Sequence, residues 1–246
     1  MDFVVHAVEK PPFARQHLLS HARPCDLHGV NRLRRLSPAA ELLLITLICF
    51  APFAVLSIAG LLRRETVLVW DDRRLFTVAA IDLVCGAIAI LILRARGWTR
   101  ADLGLRVSMP LTIAGMLLFI GANITIASLN YAFIGITGTN PANATTPVVR
   151  ASWLAVVLLV AIDPLFEEVF EVAYVMKVTE NHGAAFGMTL SAAIRLVCHL
   201  WQGPVAALTI LPLGIIFAAV YWKWRRVWPL VVAHGAGSWF ALAPQQ

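Results

Sequence analysis

Ala151-Ser-Trp-Leu-Ala-Val-Val-Leu-Leu-Val-Ala-Ile162 runs directly into Asp163-Pro-Leu-Phe-Glu-Glu-Val-Phe-Glu171. The first part is apolar apart from Ser152, and the second holds four carboxylates in nine residues. A carboxylate at membrane depth costs about 2.5 kcal/mol on insertion scales and about 10 or more in simulations. Such a group is therefore neutralised, paired or used. On a helix Asp163, Glu167 and Glu171 fall at i, i+4 and i+8 and share a face. Glu168 lies about 100° round from Glu167 and can line the same cavity.

Composition supports the membrane setting. The chain has 246 residues, 59% hydrophobic and 14% charged, against about 45–50% and about 25% in soluble domains. At about 20 residues per span, the length suits six to eight spans. The net charge of +6 comes mainly from arginines in the tail and loops, where they set orientation and meet anionic lipid. No RNA- or DNA-binding motif is present, so nucleic acid is not an expected partner. The four cysteines have no C-x-x-C spacing, which excludes a zinc ribbon and gives no disulfide framework.

Residues 1–38 read as a partly disordered cytoplasmic tail. Its histidines at 6, 17, 21 and 28, with Cys25, are too irregularly spaced for a metal site. The remainder, 39–246, reads as an all-α polytopic transmembrane bundle of about seven spans. These are expected near 41–62, 76–93, 109–136, 151–176, 184–200, 205–222 and 227–242. Pro52 is expected to kink the first. At Asp163-Pro164 the fourth either restarts, with Asp as cap and Pro in the first turn, or kinks. Residues 63–74 and 138–147 read as loops, the second containing an Asn143-Ala-Thr145 glycosylation triplet too common to weigh. Asp82 reads as a helix-interface residue. Asn123, Thr125, Ser128 and Asn130 read as hydrogen-bonding glue or as the lining of a wet cavity. Gly183 and Gly187 form a small-x-x-x-small pair, and Trp201, Trp222, Trp224 and Trp228 suit an interfacial belt. The basic residues of the tail and of 94–106, 177–183 and 223–226 place the N-terminus in the cytoplasm and the C-terminus outside.

The late spans bring titratable groups into apolar surroundings: Glu167 and Glu168, Arg195 with His199 at i+4, and His234 with Ser238 at i+4. A carboxylate and two imidazoles are enough to hold and activate a water. Two histidines and a glutamate, here Glu167, His199 and His234, are also a ligand set for catalytic zinc with one position open. A structural reading stands beside these: Glu167 pairs with Arg195 and fixes helix register. A proton-coupled transporter would use the same groups, although no internal repeat is evident.

From Arg96 to Leu242 the chain resembles the CPBP intramembrane proteases, which include the CAAX prenyl endopeptidases and the bacterial Abi proteins. The resemblance rests on Arg96-Gly-Trp-Thr-Arg-Ala-Asp-Leu-Gly-Leu-Arg106, Pro164-Leu-Phe-Glu-Glu168, Ser191-Ala-Ala-Ile-Arg-Leu-Val-Cys-His-Leu-Trp-Gln-Gly-Pro204 and Trp228-Pro-Leu-Val-Val-Ala-His234. The family pattern is E-E-x-x-x-R, F-x-x-x-H and H-x-x-x-N or D. Both glutamates and both histidines match. Val172 stands where arginine is expected, Arg195 where an aromatic is, and Ser238 where an amide or acid is.

The resemblance implies a conical intramembrane active site within a catalytic core at about 151–242. It implies an integral protein of the bacterial plasma membrane that cleaves a membrane-associated peptide or protein. Glu167 would be the general base and Glu168 its support. His199 would orient water or bind a metal, and His234, with Ser238, would stabilise the oxyanion. Arg195 could supply from a facing helix the guanidinium missing at 172. A non-catalytic membrane scaffold of bacteriocin-immunity type is the alternative that the three departures favour.

Overall fold

The computed structural model describes residues 35–63, 67–138 and 146–243. The tail up to residue 34 and the Asn143 triplet lie outside the described residues. The element order is α1 (Pro38–Arg63), β1 (Val67–Asp71), α2 (Asp72–Ala95), α3 (Met109–Thr137), β2 (Thr146–Arg150) and α4 (Trp153–Glu167). A π-helical stretch, Glu168–Tyr174, then leads without a break into the short α5 (Val175–Val178). Helices α6 (Ala184–Cys198), α7 (Pro204–Trp224) and α8 (Trp228–Leu242) complete the bundle. Each falls on one of the expected apolar segments, with α4, the π stretch and α5 together making the fourth. Helices α1, α2 and α3 are long and apolar enough to cross a membrane by themselves.

Helix α4 neither restarts nor ends at Asp163-Pro164. It runs through Pro164 to Glu167 and then widens into the π stretch. Proline has no N–H to give the carbonyl four residues back, and that carbonyl belongs to Val160. Val160 faces α8, where a Cβ added at Gly235 would lie 3.6 Å from its oxygen. All seven residues of the π stretch are buried, because this segment crosses the middle of the bundle, whereas a peripheral helix shows one face to lipid.

Two features of the fold were not expected. Residues 67–71, in a stretch read as a loop, and 146–150, which begins in another, form a two-stranded parallel ladder, with Val69 opposite Val148 and Asp71 opposite Arg150. It ties the start of α2 to the start of α4, and the Asp72 carboxylate accepts the Ser152 N–H across the same junction. At the opposite end of the bundle, buried Glu41 of α1 accepts hydrogen bonds from Trp98 Nε1 (3.0 Å) and Tyr174 Oη (3.2 Å) and pairs with Arg96. That network fastens the basic loop to α1 and to the last residue of the π stretch.

The tryptophans sit near the helix ends as expected for a belt. Trp201 meets Trp70 edge-on at one end, and at the other Trp228 Nε1 donates to Thr112 Oγ1. Of the small-residue pair, only Gly187 packs closely: a Cβ there would lie 2.9 Å from Met176 Sδ. Gly183 instead takes φ 88° before α6, with nothing within 4 Å of an added Cβ. Asn123, Thr125 and Ser128 hydrogen-bond to carbonyls of their own helix four residues back rather than across helices.

Helix α8 is seated on α3 by Gly115, where a Cβ would come within 2.6 Å of Val232 Cβ and 2.8 Å of the Pro229 carbonyl oxygen. A side chain there must push α8 away. Gly115→Val is expected to destabilise the detergent-solubilised protein by about 1–3 kcal/mol, the usual cost of overpacking. Gly121→Val, where nothing lies within 4 Å, should leave the melting temperature nearly unchanged. Equal melting temperatures for the two variants would contradict the packing described.

Candidate active site

Three segments meet at the centre of the bundle. The end of α4 with the π stretch brings Asp163, Glu167, Glu168 and Glu171, α6 brings Arg195, and α8 brings His234. The Arg195 guanidinium is 2% exposed and faces three carboxylates. It donates to Glu168 Oε1 at 2.7 Å and to Glu167 Oε2 at 3.4 Å. Its Nε lies 2.5 Å from Glu171 Oε1, an ion pair whose angles do not make a hydrogen bond. The guanidinium expected at position 172 is thus present from the facing helix. Val172 itself is fully buried among apolar groups.

His234 completes the cluster. Its Nδ1 lies 2.9 Å from Glu168 Oε1 and 3.8 Å from Glu167 Oε2, and its Nε2 lies 3.9 Å from Asp163 Oδ2. Because the partner of Nδ1 is a carboxylate, that nitrogen is assigned the proton. Glu168 Oε1 therefore receives both a guanidinium and an imidazole, which fixes the ring on a rigid support. Glu168 Oε2 has no hydrogen-bond partner among the described residues.

Exposure divides the cluster in two. The side chains of Asp163, Glu167 and His234 are 18%, 16% and 16% exposed, whereas Glu168, Glu171 and Arg195 are sealed. The first group keeps some exposed surface, and the second is sealed behind it. Four carboxylates stand against one guanidinium and one imidazole, an excess of acid that a bound cation would offset.

The remaining expected site residues lie further out. His199 caps the end of α6, half-buried, and its Nδ1 is 2.9 Å from the Arg195 carbonyl oxygen. It is close enough to feel the charges of Glu167 and His234. Ser238 is half-buried one turn beyond His234 and hydrogen-bonds none of these groups. Asp163 and Glu171, which the sequence placed on the acidic face without a role, are full members of the cluster. The i, i+4 spacing of Asp163 with Glu167 was the available signal for the first, whereas Glu171, expected on the same face, turns to the sealed side because the helix widens after Glu167. Asp82 is buried in α2, and neither of its oxygens has a partner among the described residues.

Part of the cluster has the donors of a metal site. One ligand atom each from Glu167, Glu168 and His234 lie within 4.8 Å of one another. Three protein donors with a position left open suit a catalytic zinc-type ion. His199, expected to share such an ion, is outside this group. Arg195 against Glu168 is the cation that an ion would have to compete with.

Residues 149–240 match the family model described as type II CAAX prenyl endopeptidase, Rce1-like. Over this segment the chain is similar to the CAAX prenyl endopeptidases. The CAAX protease match covers α4, the π stretch and α5 to α7, reaches Phe240 in α8, and so includes every residue of the cluster. The basic loop Arg96–Arg106 falls outside it. That likeness, with the long apolar helices, supports a membrane protein with hydrolase chemistry in general. No curated protein and no solved structure matches the chain.

Removing one partner of a buried ion pair costs about 3–5 kcal/mol, because the other charge is left uncompensated. Arg195→Met is therefore expected to destabilise the protein by about that amount. Arg195→Met combined with Glu168→Gln and Glu171→Gln should recover most of the loss. Denaturation in detergent reads both, and a single variant as stable as the parent would show that the cluster does not hold the fold.

Proposed function

We propose that this protein is an intramembrane endopeptidase that cleaves a membrane-associated peptide or protein, using a water held between Glu167 and His234. One observation carries the reading: Glu167, His234 and Asp163 keep exposed surface while Glu168, Glu171 and Arg195 form a sealed support behind them. A purely structural ion cluster has no need of such a division.

In this reading Glu167, the more exposed of the adjacent glutamates, takes a proton from the water as its oxygen bonds to the scissile carbonyl carbon. The carbonyl electron pair becomes an oxyanion. Protonated His234, its ring oriented through Nδ1 by Glu168, donates from Nε2 to that oxyanion. Collapse reforms the carbonyl and breaks the C–N bond, and Glu167 returns the proton to the leaving amine. His199, at the rim, orients the incoming water. Arg195 acts through Glu168 and Glu171 as a positioning residue. A divalent ion held by Glu167, Glu168 and His234 would polarise the carbonyl and acidify the water. The basic ends of the bundle face the cytoplasm in this reading, in a bacterial plasma membrane.

A second reading has a specific observation in its favour. Glu168 and Glu171 are engaged by Arg195, as in a non-catalytic scaffold that uses ionic groups to fix helix register. Purified parent, Glu167→Gln and His234→Ala distinguish the two, assayed on a broad fluorogenic peptide panel with a metal determination. The peptidase reading expects both variants to fold and to lose about 10²-fold or more of the cleavage rate, the usual range for general acid–base groups. It also expects a chelator to abolish cleavage only if metal copurifies. A parent inactive across the panel, with Glu167→Gln harmless in cells, would establish the scaffold instead.

A further inference from the structure

On the far side of α4 from Arg195, the bundle holds a cavity that the peptidase reading does not use. It has a volume of about 420 Å³ and lies between α2 and the α4–π rod, within the range of small-molecule sites, roughly 300–1,000 Å³. Its walls are apolar: Ala87 and Ile90 from α2, with Leu165, Phe166 and Phe170 opposite. Its mouth carries Arg94 and Arg100, both exposed, and neither guanidinium pairs with a carboxylate among the described residues. Its deep end is Asp82.

The dimensions select an occupant. From Asp82 to Arg94 the helix rises about 18 Å at 1.5 Å per residue. One leaflet of hydrocarbon is about 15 Å deep, half of a core of about 30 Å. A chain lying in the groove with its polar group at the arginines thus ends near the bilayer midplane, short of Asp82. Leu83, Ile90 and Leu165 are also exposed along the groove, so it opens sideways into lipid and a second chain of the same molecule can remain in the bilayer. Two guanidinium groups at the mouth, without a carboxylate partner among the described residues, call for an anionic head, and arginine suits phosphate through its forked donors.

We propose that this groove is a specific seat for an anionic phospholipid of the leaflet on the basic side of the protein. One acyl chain lies between α2 and the α4–π rod, and the phosphate rests on Arg94 and Arg100. The seat is independent of whether the neighbouring cluster hydrolyses peptides.

The test is native mass spectrometry of the full-length chain in detergent, titrated with phosphatidylglycerol or with phosphatidylethanolamine of the same acyl chains. The parent is expected to retain the anionic lipid preferentially. The double variant Arg94→Gln/Arg100→Gln should weaken that retention about tenfold or more, since each arginine near an anionic surface is worth about 1 kcal/mol. Ala87→Trp, which fills the groove, should lose it too. Arg106→Gln, exposed on the same loop but outside the groove, should not. Equal retention of both lipids by the parent would reduce the groove to ordinary boundary lipid and overturn the proposal. A loss in Arg106→Gln as large as in the double variant would replace it with a diffuse basic surface. The exposed arginine variants carry the test if Ala87→Trp does not fold, and melting curves establish which variants do.

Discussion

Inside the bundle the side chain of Arg195 faces Glu167, Glu168 and Glu171 with only 2% of its surface exposed. Little water is available there to screen these charges, so each group depends on its partners. That dependence sets the rest of the arrangement. The rod from Trp153 to Val178 has to cross the middle of the bundle to deliver its acids, and α6 has to lie against it to deliver the base. Helix α8 then approaches through Gly115 and Gly235 until His234 reaches Glu168. One guanidinium thus fixes the relative placement of two segments, and the histidine adds a third.

The π winding of 168–174 has a part in this. Had α-helical winding continued, Glu171 would follow Asp163 and Glu167 along one face. In the wider turn Glu171 is sealed beside Glu168 against Arg195, while Asp163 and Glu167 stay partly exposed. π turns within α-helices recur at functional sites. Here the change of winding follows directly after Glu167, so one continuous rod presents two carboxylates outward and two inward.

Much of this was legible in the residues. Long apolar runs bounded by charge, glycine or proline located every helix of the bundle, and the acids at 163–171 marked its centre before any partner was known. The pairing of Arg195 with Glu167 was readable because an arginine in an apolar span needs acids nearby. Other features were hidden for physical reasons. The strands 67–71 and 146–150 are short and lie in charged or turn-rich stretches, and their partners are separated by the whole of α2 and α3. A π turn leaves no periodic mark in a segment that is buried all round. The buried pairing of Glu41 with Arg96 joins two loop-proximal charges that resemble ordinary solvated ones in sequence.

A ribosome delivers Glu167, Glu168 and Glu171 before it delivers Arg195. During that interval the acid-bearing rod has no base to neutralise it, and full entry into hydrocarbon carries the penalty for membrane-depth carboxylates. Full burial of the rod in hydrocarbon is therefore tied to the arrival of α6, which carries the neutralising base. The bundle is completed by arrival of its base, and a chain stalled before α6 would leave its most acidic segment at the membrane surface.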